Sequence, residues 1–103
     1  MAIGGVGVIS VVANILPRPV EQMIRAFEAG RLGVSRRWHY RLLPLTKALF
    51  LETNPIPVKT AMGLMGRIDP ELRLPLCPMG EANQEKLKAV LSQYRLISGR
   101  KPR

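Results

Sequence analysis

The most continuous apolar stretch of this chain lies at its start, in residues 4–14 (GGVGVISVVAN). A β-strand with one face exposed to solvent alternates apolar and polar residues, whereas a strand buried on both faces is apolar at both odd and even positions. Residues 6–13 follow the second pattern, which is typical of a parallel sheet or barrel. Parallel strands are joined by crossovers of about a dozen residues or more, and the sequence contains no second run of this type. The pattern therefore predicts one strand that is separated from the sheet that would flank it.

Helical periodicity dominates the rest of the chain and predicts a mostly α fold. The first helix is expected to begin at about Pro19, because proline needs no backbone donor in a first turn, and Gly30 supplies its stop. One apolar face recurs along it at i, i+3, i+4 and i+7. That face consists of Val20, Met23, Ile24 and Phe27. Three further helices are predicted at about Val34–Phe50, from near Pro57 to Gly66, and at about Glu81–Leu96.

Proline and glycine positions modify these helices. Pro44 removes the backbone bond to the carbonyl of Tyr40 inside the second helix, so we expect a kink there rather than two helices. Proline also restricts the residue before it, so Asn54 and Ile56 are expected to be extended. Gly63 costs the third helix about 1 kcal/mol relative to alanine, which makes that helix dependent on its packing.

Length and charge limit the function classes. The 103 residues, 47% of them hydrophobic, allow one small domain but not a complete (β/α)8 barrel of about 250 residues. Sixteen Lys and Arg against seven Asp and Glu give a formal charge of +9, which raises a nucleic-acid or anionic-surface hypothesis. One Trp, two Tyr and two Phe provide no obvious stacking platform for single strands. Nucleic-acid binding is therefore kept only as a lesser alternative.

The single cysteine and the apolar start of the chain are informative about the cellular compartment. Cys77 cannot form an internal disulfide, which fits a reducing environment. It lies in residues 72–78 (LRLPLCP), whose prolines predict an extended strap on the helices rather than a strand. No basic residue precedes the apolar start, which ends at Asn14 and Pro17, short of the roughly 20 residues that span a membrane. We therefore expect a cytoplasmic protein without a membrane anchor.

No catalytic constellation can be assembled from these residues. His39 has no second His, Cys or carboxylate at ligand spacing, so an exposed or capping histidine is favoured over a metal or acid/base role. Lys59 would need a desolvated pocket with acid/base partners to form a Schiff base, and the first turn of a helix rarely offers one. Gly4, Gly5 and Gly7 do not follow a strand, so they do not form a phosphate loop. No catalytic residue, metal or cofactor is predicted, and any catalytic groups of a related enzyme would lie elsewhere.

Four motifs, in order along the chain, carry a family resemblance. They are GVISVVAN at 7–14, RLLPLTKALF at 41–50, ETNPIPVK at 52–59 and LRLPL at 72–76. Together they resemble the C-terminal third of the dihydrodipicolinate synthase family. Related pyruvate-dependent aldolases, such as N-acetylneuraminate lyase, share the architecture, but the third and fourth motifs are closer to the synthase.

The resemblance implies a fragment of a (β/α)8 TIM barrel, namely its last strand and last helix, followed by a C-terminal three-helix domain. Family members condense pyruvate with aspartate semialdehyde in lysine and diaminopimelate biosynthesis, through a Schiff base on a barrel lysine. That lysine, the tyrosine beside it and a Thr/Tyr relay belong to earlier strands and have no counterpart here. The family is usually a homotetramer, and the residues at the dimer contact where lysine exerts feedback also lie upstream. One site residue carries over: Ile9, whose equivalent lines the pyruvate pocket, with an ordinary barrel-core role as the alternative. Val12 departs from the family, in which a hydroxyl residue is common there.

These expectations divide the chain into residues 1–32 as a last β/α unit, 33–98 as a C-terminal helical domain and 99–103 as a disordered basic tail. The leading hypothesis is the C-terminal part of a synthase that is inactive by itself and binds pyruvate only in a complete barrel. The alternatives are a fragment that docks onto an N-terminal barrel portion or forms a homo-oligomer, and a basic nucleic-acid-binding protein. An unpaired apolar strand also predicts low solubility or self-association.

Overall fold

The computed structural model describes residues 1–98, and all of their regular secondary structure is helical. The elements are a short 3-10 helix, Val12–Asn14, followed by α1 (Pro17–Glu28), α2 (Leu32–Ala48), α3 (Ile56–Leu64) and α4 (Glu81–Gln93). The prediction of a mostly α fold is confirmed. The chain divides into two compact units, Met1–Thr46 and a second that begins at Lys47. No helix within residues 1–98 has the length and apolar character needed to cross a membrane. The predicted basic tail, 99–103, lies outside the described residues.

The predicted strand does not form within residues 1–98, so this expectation is wrong for the chain as it stands. Residues 5–10 have neither a helix nor a ladder, and Val12–Asn14 coil into the 3-10 helix. The backbone N–H of Ala13 donates to the hydroxyl of Ser10 at 3.2 Å, and that of Asn14 donates to the carbonyl of Val11 at 3.1 Å. A strand needs a neighbour that supplies backbone partners. Because no described residue does so, these local bonds prevail.

Helix α1 begins two residues earlier than expected, at Pro17. Pro17 and Pro19 both lie in the first turn, where the backbone N–H groups have no partner inside the helix, so neither ring costs a hydrogen bond. The predicted stop at Gly30 is confirmed, because Gly30 has φ +71°. The N–H of Arg31 then donates to the carbonyl of Ala26 at 2.8 Å, which closes the helix end.

Helix α2 passes through Pro44 as one element, as the sequence predicted. The predicted apolar stripe is buried at Leu42, Leu45 and Leu49, although Leu49 lies just beyond the last helical residue. Trp38, at the start of that stripe, is half-buried, and the guanidinium of Arg41 lies 5.2 Å from its ring centroid. A cation over an indole ring is favourable, so Arg41 covers part of the apolar surface of Trp38.

In the second unit, α3 and α4 pack against each other. Their contact buries Ala61, Leu87 and Leu91 completely. Helix α3 begins at Ile56, so the expectation that Ile56 is extended is wrong. Ile56 is the first helical residue and is buried. This burial, together with the bond from its N–H to the carbonyl of Thr53 at 2.9 Å, outweighs the bias that the following proline imposes.

Helix α4 ends at Gln93, three residues before the predicted end at Leu96. Arg95 has φ +56°, and the N–H of Leu96 donates to the carbonyl of Leu91 at 3.0 Å. This is the helix stop that glycine normally supplies, and Gly66, with φ +69°, supplies it after α3. Here an arginine takes the left-handed conformation, so no glycine in the sequence signalled the end of α4.

Residues 67–80 connect α3 to α4 without helix or ladder, and we call them the strap because they contain the strap predicted at 72–78. Pro70 lies against Gly63, whose added Cβ would be 2.8 Å from the Cβ of Pro70. Met79, near the other end of the strap, is buried. Between these points Leu74 is 91% exposed. The strap is therefore held at both ends, and its middle faces solvent.

Candidate functional site

The first unit presents an exposed apolar segment, residues 3–9, which we call the N-terminal apolar segment. Ile3 is 100% exposed, Val6 is 88% exposed, and Val8 and Ile9 also lie in solvent. Alternate residues of an extended chain point to opposite sides, so Val6 and Val8 belong to one parity while Ile3 and Ile9 belong to the other. Both parities are uncovered. Exposed apolar residues on this scale mark a contact surface.

Ile9 is the one predicted site residue. The structure places its side chain fully in solvent, one residue before Ser10, whose hydroxyl accepts from the backbone N–H of Ala13. In this chain Ile9 therefore lines no closed pocket. Its role in a pyruvate site stays a prediction.

A second apolar feature of the first unit lies between α1 and the start of α2, and we call it the α1/α2 groove. Its volume is about 350 Å³. It is lined by Met1, by Met23, Ile24 and Phe27 from α1, and by Leu32, Ser35, Arg36 and His39 from α2. The helical spacing of the three α1 residues predicts an apolar face, but the groove between that face and α2 exists only in the folded chain.

The second unit contains a polar contact that sequence reasoning missed. The carboxylate oxygen Oε1 of Glu52 accepts from the backbone N–H of Gly80 at 3.0 Å and from Nδ2 of Asn83 at 3.0 Å. Gly80 is the residue that precedes α4, so Glu52 satisfies donors at the helix start and places its negative charge near the positive end of the helix dipole. The partners lie 28 and 31 residues away in sequence. No local motif could have signalled this contact.

The lysines of the described chain do not form a Schiff-base site. Nζ of Lys59 donates to the backbone carbonyl of Glu71 at an exposed position. Nζ of Lys88 pairs with the carboxylate of Glu85 at 2.6 Å. Lys47 and Lys86 are exposed. A Schiff-base lysine needs a desolvated amine beside an acid/base group, and none of these four lysines has that environment.

The other candidate side chains also lack partners for chemistry. The His39 ring lies edge-on to Tyr40, with 5.3 Å between the ring centroids, and both side chains are exposed. Cys77 is an exposed free thiol. Within residues 1–98 no three His, Cys, Asp or Glu side chains come together in a group that could hold a metal ion. The described residues therefore contain surfaces for contact rather than a set of reacting groups.

Comparison with known proteins points to a single class of enzyme. The solved dihydrodipicolinate synthase of Aquifex aeolicus superposes with a TM-score of 0.90 at 49% identity, over 92% of this chain and 32% of that one. A chloride-inhibited dihydrodipicolinate synthase of Acinetobacter baumannii, solved in complex with pyruvate, superposes with a TM-score of 0.87 at 37% identity, over 92% of this chain and 33% of that one. The 4-hydroxy-tetrahydrodipicolinate synthase of Geotalea daltonii is 54% identical over 97 residues, which are 94% of this chain and 33% of that enzyme.

A sequence model of the dihydrodipicolinate synthetase family matches residues 1–94, and the chain belongs to this family. The resemblance found in the four motifs is thereby confirmed. The chain spans about a third of the length of the curated relatives it matches.

Proposed function

We propose that this chain is the C-terminal part of a Schiff-base lyase that joins pyruvate to aspartate semialdehyde in lysine biosynthesis, and that this part is catalytically inactive by itself. The observation that carries the proposal is the family match over residues 1–94 in a chain that covers only 33% of its relative in Geotalea daltonii. The complete enzyme would be a cytoplasmic homo-oligomer. In it, residues 1–32 would form the last β/α unit of the barrel and residues 33–98 the C-terminal helical domain.

The environment of the lysines supports the inactivity of this part. An amine attacks the carbonyl carbon of pyruvate only when it is unprotonated, which an enzyme arranges by desolvation or by a neighbouring base. Lys59 and Lys88 are engaged by a carbonyl and a carboxylate, and Lys47 and Lys86 lie in solvent. None of these four is therefore prepared for the reaction.

Reductive trapping tests the proposal. The chain is incubated with pyruvate and borohydride, and its mass is measured before and after proteolysis. We expect no stoichiometric adduct on Lys47, Lys59, Lys86, Lys88 or Lys101. A fusion of the first two thirds of the Geotalea daltonii enzyme to this chain is expected to be trapped on a lysine of the added part and to condense the two substrates. A stoichiometric adduct on the chain alone would contradict its inactivity, and a folded but inactive fusion would contradict the proposed activity.

In the complete enzyme we place Ile9 against pyruvate, at the end of a barrel strand where sites of this fold form. In the fusion, Ile9→Ala is expected to raise KM for pyruvate several-fold, because contact with the substrate is lost, an effect of about 1 kcal/mol. Val8→Ala is the matched control, since Val8 has the opposite parity and faces away from the same space. Equal KM values for pyruvate in the two variants would show that the Ile9 side chain does not contact the substrate.

The exposed N-terminal apolar segment favours a second candidate function, that of a docking fragment that completes a split barrel. Strand addition supplies backbone partners to a free strand edge, and side chains of both parities need cover on both faces. Co-expression of this chain with the first two thirds of the relative as a separate polypeptide tests this candidate. A stable complex with lyase activity is expected. Failure of the two polypeptides to co-purify would rule the candidate out.

A further inference from the structure

A second cavity lies between α1 and α2, and we call it the arginine crevice. Its volume is about 300 Å³. It shares no lining residue with the α1/α2 groove. Three of its six residues come from α1, one from the connection between the helices and two from α2: Gln22, Arg25, Ala26, Arg31, Val34 and Trp38. The two helices therefore form separate cavities on two sides of their contact.

The arginine crevice opens on the side of α1 that a barrel would leave in solvent. An α-helix turns by about 100° per residue, so Gln22 and Arg25 lie on the opposite side of α1 from the apolar face that contains Val20 and Ile24. In the proposed complete enzyme that apolar face packs against the barrel strands. The crevice would stay accessible there, because its α1 residues face the other way.

The base of the crevice is apolar and its rim is positively charged. Ala26 is buried, Val34 and Trp38 are half-buried, and Arg25 and Arg31 are exposed. Ligand sites combine a mainly apolar lining with a few convergent polar groups, and the flat indole ring favours packing against another planar ring. The lining therefore suits a small molecule that has a planar apolar body and one negative group.

The two arginines of the rim are available to an anion. The Arg31 guanidinium forms no ion pair with any residue among 1–98. The Arg25 guanidinium pairs with the carboxylate of Glu21 at 2.7 Å, but both side chains are more than half exposed, and exposed pairs of this kind are weak. A guanidinium has five donors and binds a carboxylate through two of them. A ligand carboxylate can therefore contact both arginines.

We propose that the arginine crevice binds a small aromatic carboxylate. Its ring packs against Trp38 and Val34, and its carboxylate is held by Arg25 and Arg31. An inorganic anion would satisfy the arginines but leave the apolar base uncovered, and an uncharged ring would cover the base without binding the arginines. The substrates of the proposed lyase are aliphatic, so this site is distinct from the pyruvate contact proposed for Ile9.

Tryptophan fluorescence tests the site directly, because Trp38 is the one tryptophan of the sequence. Titration of the chain with benzoate is expected to change this fluorescence saturably, with a Kd on the order of 1 mM. Benzamide, which has the same ring without the charge, and inorganic phosphate, which has charge without a ring, are each expected to bind about tenfold more weakly. Absence of saturable benzoate binding overturns the proposal, and so does equal binding of phosphate or benzamide.

Arginine variants test the contacts of the carboxylate. Arg25→Gln and Arg31→Gln are each expected to raise the Kd for benzoate about tenfold, because a charged hydrogen bond is lost. Arg36→Gln removes the same charge from an exposed position that lines the α1/α2 groove instead, and it is expected to leave the Kd nearly unchanged. All three positions are exposed, so far-UV circular dichroism should show an unaltered fold. Equal losses in the three variants would indicate attraction by net charge alone and overturn the proposal.

Glu21 provides a variant with the opposite effect. Its carboxylate competes for Arg25, so Glu21→Gln is expected to lower the Kd for benzoate about threefold, as expected from the strength of an exposed ion pair. Glu28→Gln is the control, because Glu28 is the other glutamate of α1 and does not pair with Arg25. If Glu21→Gln does not tighten binding more than Glu28→Gln does, the proposed contact of the ligand with Arg25 is wrong.

The fusion with the Geotalea daltonii segment tests whether the crevice is accessible in a complete enzyme. Isothermal titration calorimetry is expected to give the same Kd for benzoate in the fusion as in the chain alone. Loss of benzoate binding in a folded fusion would show that the added part covers the crevice and would overturn the proposal. An inactive fusion that binds benzoate contradicts the proposed function and supports the site. An active fusion that does not bind benzoate has the opposite meaning.

Discussion

The N-terminal apolar segment and the α3/α4 pair carry comparable apolar side chains in opposite environments. Val6 and Ile9 lie in solvent, whereas Leu87 and Leu91 are completely buried. Each buried leucine has a facing helix within the same unit, but the segment has no facing strand among residues 1–98. Burial therefore depends on whether a matching surface is present in the chain as much as on the residues themselves. A helix pair supplies that surface locally, while a parallel strand depends on strands far along a polypeptide.

Truncation of one side chain in each region gives the largest expected contrast. Leu91→Ala removes a completely buried side chain and leaves a cavity, so the free energy of unfolding should fall by about 2–5 kcal/mol. Ile9→Ala removes a side chain already in solvent and should change that free energy by less than about 0.5 kcal/mol. Urea unfolding followed by far-UV circular dichroism measures both. A comparable loss in both variants would mean that Ile9 is buried in solution and would remove the contrast.

The close approach of Pro70 to Gly63 allows a second test of packing in the second unit. An added methyl group would lie 2.8 Å from the Cβ of Pro70, so Gly63→Ala should destabilise the second unit by about 1–2 kcal/mol, despite the better helix propensity of alanine. Thermal unfolding measures the loss. Pro70→Gly removes the contacting ring atoms, so Gly63→Ala added to Pro70→Gly should be stabilising instead. A double variant in which alanine still destabilises would show that the contact with Pro70 is not the cause.

The Glu52 contact is expected to contribute somewhat less to the free energy of unfolding than the packing at Gly63 does. Glu52→Ala deprives the Gly80 N–H and the Asn83 amide of their shared acceptor and should cost about 1 kcal/mol. The comparison variant is Glu71→Ala, because only the backbone carbonyl of Glu71 accepts the bond from Lys59. Chemical denaturation of the two proteins measures the difference. If they unfold at the same denaturant concentration, Glu52 does not hold the start of α4.

The smallest expected effect is a gain in stability at the end of α4. Arg95 has φ +56°, a conformation that a side chain disfavours and glycine adopts readily, so Arg95→Gly should stabilise the second unit by up to about 1 kcal/mol. Ala89→Gly, at an exposed position inside the helix, is the opposite control and should destabilise by about 1 kcal/mol. Melting temperatures distinguish the two. A lower melting temperature for Arg95→Gly would contradict the assigned helix stop.

The helix ends show how far local sequence determines this fold. The stops at Gly30 and Gly66 were predicted because glycine is the usual residue of a left-handed stop, and both glycines have positive φ. The predicted end of α4, at Leu96, lies three residues beyond the observed end at Gln93. The reason is that Arg95, rather than a glycine, adopts the left-handed conformation that stops the helix. The start of α3 was misplaced by one residue because burial of Ile56 outweighs a local proline rule.

Three features that depend on distant parts of the chain show where local sequence stops being sufficient. The apolar run that contains Ile9 was recognised, but its conformation depends on strands that residues 1–98 do not contain. The α1/α2 groove requires side chains from two helices and from Met1, so the apolar face of α1 alone could not reveal it. The Glu52 contact joins residues 28 positions apart. In each case the missing information is a partner that lies far away in sequence.

The strap contains a single site for covalent labelling. Cys77 is the one cysteine of the sequence, its thiol is exposed, and it lies between the Pro70 and Met79 anchor points. A maleimide fluorophore would therefore attach at a single defined position, on a surface whose ends are fixed. Its polarisation would follow the tumbling of the second unit and rise on assembly with a larger partner, so the association experiments need no engineered tag.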